Sequence, residues 1–517
     1  MKPNQIIGAI GLLCLTALPI HASKCMPLRV RNPEGNYIVP GARGDIVYRR
    51  AGDRLLSLDA YVQQRGAERP AVVVIHGGGG GTGSRIAFVG QFLELLTAAG
   101  YNWFSVDYRL TNADESVDDL RAALAFIRCH AQEFRVDAAR LALLGEDTGA
   151  DLALRLARDP AAGVQTVVAV GGRFEGAQPA TASINALLIH GAADREVPLH
   201  TAEAQCQTIR GAGGRCQVLP VEGAIHRAEN WRPEQWGYKS ELLAWLGERL
   251  TLPAADHEPY TTSLLKEIVY SSRHGLKLDA YVPPGRGPHP AVIIAHGGGW
   301  EAGDRVTYAT PVFGPLARAG FAWFSIDYRL TPQVRHAEQL DDLREAIRFV
   351  HRNATRFKVN PARIALLGES ASGQMVAQLA TEAPPEIAAV VSFYGVYDFE
   401  TRTGDLSPRS IPARLFGITK LDDDASATLR RFSPYHNAKK DMPPLLLICG
   451  TKDGLYANHQ SFARKLEQIG ARHTALSVEG APHGMENWEG HPEWMGYKSR
   501  LVEWLRKTPV GRAARMR

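Results

Sequence analysis

The stretch Leu366-Leu-Gly-Glu-Ser-Ala-Ser-Gly373 sets a serine among small residues, after an apolar run that reads as a strand and before a helical pattern over Gln374 to Thr381. A serine at the tip of such a strand-turn-helix is held in a strained backbone and presented clear of its neighbours, as a nucleophile must be. Ser370 is the candidate nucleophile, and Gly368 gives one of the close approaches that the turn demands. The usual last glycine of G-x-S-x-G is Ser372, with Gly373 just after it. Attack on a carbonyl builds negative charge on oxygen, and that charge must meet preorganised N–H donors. His296-Gly-Gly-Gly-Trp300 follows the apolar run Ala291 to Ala295 and lets the amides of Gly298 and Gly299 reach such an oxygen, with Ala371 N–H as third donor. The order nucleophile, acid, histidine is completed by Asp453 in Gly450-Thr-Lys-Asp-Gly454 and His483 in Glu479-Gly-Ala-Pro-His-Gly484, each directly after an apolar strand. Asp398 is a rival acid, ranked lower because one further strand separates it from the histidine. The chemistry these types support is acyl transfer through a covalent intermediate.

The elements that must position these residues occur twice. Leu58-Asp-Ala-Tyr-Val62 recurs as Leu278-Asp-Ala-Tyr-Val282, His76-Gly-Gly-Gly79 as His296-Gly-Gly-Gly299, and Leu143-Leu-Gly-Glu146 as Leu366-Leu-Gly-Glu369. Asp107-Tyr-Arg109 matches Asp327-Tyr-Arg329, and Glu229-Asn-Trp231 matches Glu486-Asn-Trp488; both read as scaffold. Runs of four or five apolar residues without polar alternation, such as Ala71 to Ile75, fit central strands of a parallel sheet covered on both faces. Three-to-four spacing over Ser116 to Cys129 and Gln339 to His351 predicts helices between them. The fold class is therefore α/β, with a mostly parallel doubly wound sheet flanked by helices in each half. Residues 24–250 form the first domain, 251–267 a connector with Pro253 and Pro259, and 268–517 the second.

In the first copy Asp147 stands where Ser370 stands, with Asp194 and His226 at the acid and base positions. An aspartate nucleophile is conceivable. Against it, the segment from Asp147 to Asp194 is much shorter than that from Ser370 to Asp453, leaving no room for a cap, and the glycine run His76 to Gly81 would set a carboxylate beside an oxyanion. A degenerate, structural or binding domain is expected. The extra residues of the second copy fall largely between Val396 and Met442, carry Arg402, Arg409 and Arg414, and read either as a small lid or pocket wall or as an ordinary surface excursion. Trp300, which replaces Gly80, is the candidate substrate contact, and Trp494 is a second possible sugar-stacking face.

On these motifs the second half resembles bacterial esterases and lipases of the α/β-hydrolase fold, near the hormone-sensitive-lipase-like and feruloyl or acetyl-xylan esterase-like branches. The likeness covers nearly all of both copies, hence two tandem α/β-hydrolase domains. It implies hydrolysis of a carboxylic ester by the Ser370, His483, Asp453 triad, on acetyl, feruloyl or other short acyl esters of carbohydrates, with neither metal nor organic cofactor. A serine exopeptidase-like amidase and a non-enzymatic carbohydrate-binding scaffold are the rival readings.

A length of 517 residues suits two cores, and 45% hydrophobic with 22% charged residues is the composition of a globular chain. The formal net charge of +5 is spread among nearly as many acids, so no nucleic-acid-binding face is expected. Lys2, the apolar run Ile6 to Ile20 and small residues Ala22 and Ser23 read as a signal peptide over 1–23, which predicts a secreted or periplasmic protein without stable membrane insertion. Cys14 would leave with that segment. Of Cys25, Cys129, Cys206, Cys216 and Cys449 at least one stays unpaired, and Cys206 with Cys216 forms either a disulfide or two buried thiols.

Overall fold

The computed structural model describes residues 26–32, 36–63, 65–174, 183–253 and 263–511. The proposed signal segment, Cys25 and most of the connector lie outside them. The first half contributes β1 (Val30–Asn32), β2 (Arg43–Ala51), β3 (Arg54–Tyr61), β4 (Arg69–Ile75), β5 (Asn102–Val106), β6 (Val136–Glu146), β7 (Thr166–Val170), β8 (Asn185–Gly191) and β9 (Arg215–Val221). The second contributes β10 (Leu264–Ser271), β11 (Leu276–Tyr281), β12 (His289–Ala295), β13 (Ala322–Ile326), β14 (Val359–Glu369), β15 (Ala389–Phe393), β16 (Leu445–Gly450) and β17 (His473–Val478). Because β10 starts at Leu264, the last four residues of the expected connector 251–267 belong to the second sheet.

The strand orders are β1-β2-β3-β5-β4-β6-β7-β8-β9 and β10-β11-β13-β12-β14-β15-β16-β17. From β4 and β12 onward every pairing is parallel, while β3 and β11 meet their sheets antiparallel. The uninterrupted apolar runs explain this placement. On β12, Ala291, Ile293 and Ala295 enter the core on one face while Val292 and Ile294 enter the core on the other. Ala71, Val73 and Ile75 divide from Val72 and Val74 in the same way on β4. Two-sided burial of that kind requires helices on both faces.

Parallel pairing sends every β-to-α loop off one edge, which is where a site can form. The register β12 to β14 sets Ala295 beside Gly368, so the glycine loop and the serine turn leave the sheet side by side. Phe393 beside Ile448 and Gly450 beside Val478 carry the same edge on to the acid and histidine loops. The two halves share their cores across a common boundary: Val306 packs into the first half and Tyr37 into the second. Repeat-related residues meet there, with Phe88, Tyr308, Glu229 and Glu486 lining one small cavity.

The helices form where the spacing predicts, over Ala113–Cys129 and His336–Arg352. The first gains an extra turn because Asn112 accepts the Glu115 N–H as N-cap. Cys206 and Cys216 form a disulfide with Cα atoms 5.3 Å apart, resolving that pair. Cys129 is disulfide-bonded too, and Cys449 is a buried free thiol. No helix among the described residues is long and apolar enough to cross a membrane.

Candidate active site

Ser370 sits between β14 and the helix Ala371–Thr381 with φ 55° and ψ −114°, a conformation that L residues adopt only under constraint. The constraint is local crowding. A Cβ on Gly368 would lie 2.3 Å from Ser372 O, and one on Gly373 would lie 2.4 Å from Phe393 O. Ser372 replaces the expected glycine without an orphaned hydroxyl: its Oγ donates to Ala295 O at 2.7 Å and accepts the Glu369 N–H at 2.9 Å.

The sequence-predicted triad is assembled. His483 Nε2 stands 3.0 Å from Ser370 Oγ, and its Nδ1 stands 2.8 Å from Asp453 Oδ2. Asp453 is buried, and its other oxygen accepts the Leu455 N–H at 2.8 Å, which fixes the carboxylate. The histidine loop is held from behind by Asn487 Nδ2 donating to His483 O at 2.9 Å and by Trp488 Nε1 donating to Pro482 O at 2.7 Å. Tyr328 Oη donates to His296 O at 2.9 Å and pins the glycine loop. The repeated Glu-Asn-Trp and Asp-Tyr-Arg motifs thus position the loops rather than react. Asp398 takes no part: it lies 3.4 Å from His436 in the second half's insertion.

The first half supplies an internal probe of the glycine loop. Asp147 shares the strained turn, with φ 49° and ψ −120°. Its Oδ2 accepts the N–H groups of Gly78 at 3.1 Å and Gly79 at 2.8 Å. Gly298 and Gly299 have the corresponding positive φ values of 93° and 61°, against 113° and 63° for Gly78 and Gly79. Among the described residues nothing occupies the amides of Gly298, Gly299 or Ala371. The carboxylate oxygen therefore marks where a developing oxyanion would sit in the second half, and in the first half it fills that place itself.

The first site is locked further by charge. His226 Nδ1 lies 2.8 Å from Asp194 Oδ2, while its Nε2 is 3.7 Å from Asp147 Oδ1. Burial opposes the imidazolium, yet the two aspartates outweigh it and hold His226 up at about 9. Burial would likewise raise Asp147, but His226, Arg227 and the two loop amides hold it down at about 2. An imidazole held up at about 9 is a poor base near neutrality. Arg227 completes the lock from 3.9 Å and stands where the second half has Gly484. Its φ of 66° lies in the glycine-favouring region, as does the 90° of Gly484. Sequence reasoning missed Arg227, although the same repeat comparison that exposed Asp147 contains it.

Trp300 does not border solvent as expected. It is 3% exposed, and its ring packs against His336 and Phe399, so it supports the wall rather than touching a substrate. Trp494 is half-buried and stacks on His491 at 4.1 Å. His336, also missed from sequence, is fully buried in a cage of Trp300, Phe399, Phe416 and Phe432, and burial pushes it down to about 3. This cage binds the insertion Val396 to Met442 to the domain as a packed wall. Arg335 Nη1 adds bonds to Ala413 O at 3.1 Å and Arg414 O at 2.7 Å. Next to the serine, burial raises Glu369 to about 7 against the pull of Gly297 N–H and the Tyr394 hydroxyl.

Esterase LipC of Mycobacterium tuberculosis is 29% identical to the chain over 220 residues, covering 39% of the chain and 55% of that protein. A probable isoprenylcysteine alpha-carbonyl methylesterase ICME of Oryza sativa is 26% identical over 247 residues, covering 43% of the chain and 59% of the relative. The chain thus spans little more than half the length of these relatives. Among solved structures, a truncated carbohydrate esterase from gut microbiota is 23% identical with a TM-score of 0.43, covering 50% of the chain and 99% of that structure. The BD-FAE family profile matches residues 58–162 and 278–467, once in each half and over more than half of the sequence. With two α/β-hydrolase sheets and a glycine loop and elbow in each, the chain belongs to the BD-FAE family as a tandem of two copies.

Proposed function

We propose that the chain is an exported carboxylic ester hydrolase whose second half carries the reaction. The observation that carries this reading is the relay Ser370 Oγ, His483, Asp453 at 3.0 and 2.8 Å. In the first step Ser370 Oγ attacks the ester carbonyl carbon as His483 Nε2 takes its proton. The carbonyl oxygen gains its charge against the N–H groups of Gly298, Gly299 and Ala371, in the place that Asp147 Oδ2 fills in the first half. Asp453 holds the imidazolium and stabilises it, and the proton passes to the departing alcohol. Water, activated by the same histidine, then releases the acid from the acyl-enzyme and restores Ser370.

Acetyl, feruloyl or other short acyl esters of carbohydrates are the proposed substrates, in line with the family and with an exported protein. The Cys206–Cys216 disulfide supports an oxidising compartment. In this reading the first half does not turn over ester, because its own carboxylate holds the oxyanion position and its histidine is charged. A panel of acetyl, butyryl, feruloyl and longer acyl esters, with matched amides, tests the proposal on the wild type and on Ser370→Ala. Ester turnover that vanishes in the variant is the expected result. Turnover of the amides alone would replace it with a peptidase-like activity.

A further inference from the structure

Between the halves lies an open cleft of about 1230 Å³, larger than the ~300–1,000 Å³ of ordinary small-molecule pockets. One wall is the first half's acid and histidine loops, and the other is the insertion of the second half around Pro408 to Thr419. Six arginines line it: Arg195, Arg227 and Arg232 from the first half, Arg335, Arg409 and Arg414 from the second. They face three acids, Asp194, Glu196 and Glu301, and these acids are engaged. Asp194 is taken by His226, Glu196 is paired with Arg173, and Glu301 bridges Arg232 at 2.7 Å and Arg414 at 2.6 Å. Arg195 and Arg409 are exposed and have no acidic partner among the described residues. Fastening the halves uses Arg232, Arg414 and Glu301, Arg227 pairs with Asp147 and Glu229, and Arg335 binds two carbonyls of the insertion, which leaves Arg195 and Arg409 without such a role.

The cleft is lined by neither Ser370 nor His483, and its link to the serine site is the side chain of Arg414. Arg414 Nη1 donates to Gly299 O at 3.3 Å, and the N–H of Gly299 is one of the oxyanion donors. Arg414, itself paired with Glu301, thus joins the oxyanion loop to the cleft, which also carries the unpaired cations Arg409 and Arg195. Guanidinium groups bind carboxylates with paired, charge-assisted hydrogen bonds, and a cleft with an excess of cations concentrates anions. Ile225 is the only large aliphatic side chain among the lining residues, so the cleft offers an acyl-lipid chain no continuous aliphatic channel.

We propose that this cleft binds the carboxylates of an acidic oligosaccharide whose ester is cleaved at Ser370, and that the first half has been kept as its substrate-binding wall. The proposal rests on Ser370 being the nucleophile and narrows the substrate to acylated sugars carrying uronate groups. Arg227, which stands where the second half has Gly484, then has a use: it closes one site and adds a cation to the other.

Calorimetric titration of the full-length chain with trigalacturonate, xylotriose and anionic phospholipid vesicles measures binding apart from catalysis. Trigalacturonate should bind at low salt and xylotriose should not. Arg195→Gln and Arg409→Gln should each weaken the affinity about tenfold, the size of one charge-assisted contact, and 0.5 M NaCl should weaken it in the wild type. Rates on acetylated oligouronates and acetylated xylo-oligosaccharides complete the test: the ratio of kcat/KM should favour the uronates and fall in both variants, chiefly through KM. Equal affinity for the two sugars, affinity indifferent to both folded variants, or binding to vesicles in place of the uronate overturns the proposal. Neutral esters cleaved well without uronate binding would sink this inference alone. Uronate binding without turnover of any ester would instead sink the esterase reading.

Discussion

Substituting one residue type turns the same strained turn into two different objects. With serine at the tip, the histidine faces a hydroxyl; with aspartate, a carboxylate oxygen accepts from the loop amides and helps to hold the histidine pKa up. The account therefore predicts that Asp147→Asn brings His226 down by at least about one pKa unit from about 9, followed by NMR of its ring protons. An unchanged titration would mean that Asp194 alone holds the proton. The sign for stability follows: a raised histidine pKa contributes stability that is full below about 6.5 and lost as pH rises through about 9. In the second half, Asp453→Asn should lower kcat by about 10⁴ with the fold intact, since the imidazole loses its orienting carboxylate. A loss under tenfold would point to another acid.

Each loop that carries chemistry depends on the element behind it. Gly373 approaches Phe393 O so closely that Gly373→Ala should destabilise the second half by about 1–3 kcal/mol, read from denaturant midpoints. An unchanged midpoint would show that the elbow helix can shift. Arg335→Ala should speed amide exchange over Ile411–Phe416, because two carbonyls at the end of that helix lose their donor. Equal exchange rates would mean that the aromatic cage alone fastens the wall. The sheets were legible because their central strands are unbroken apolar runs, and the triad because each member follows such a run. Less legible were features set by contacts between distant segments. Leu264 to Glu267 mix polar and apolar residues beside a proline-rich connector, so the edge strand they begin lacks the apolar signature. Trp300 stood beside a glycine loop and looked available, yet the insertion covers it with Phe399. His336 gave no sign in sequence that four aromatic rings converge on it.

Across the whole molecule, the boundary between halves buries Glu229 and Glu486 near Glu146 and Glu369. Burial first, and then mutual repulsion, raises Glu486 and Glu146 well above the usual carboxylate range. The folded state then binds more protons than the unfolded chain, so stability falls as pH climbs from about 4.5 through these raised values. Below about 6.5 His76 and His296, which burial holds down at about 4, act in the opposite sense and lose stability as pH falls. From pH 6.5 to 8.5 the carboxyl effect and the loss of the His226 contribution act in the same sense. There the melting temperature should drop in the wild type and drop less in Glu486→Gln; parallel curves would place the ionisation elsewhere. The tandem arrangement also sets how many reactive centres one chain has, which a fluorophosphonate probe reads directly by intact mass and peptide mapping. One adduct per chain, on the peptide containing Ser370 and absent from Ser370→Ala, is the predicted result. A folded, ester-cleaving protein that takes no adduct, or takes it on another residue, would contradict the account.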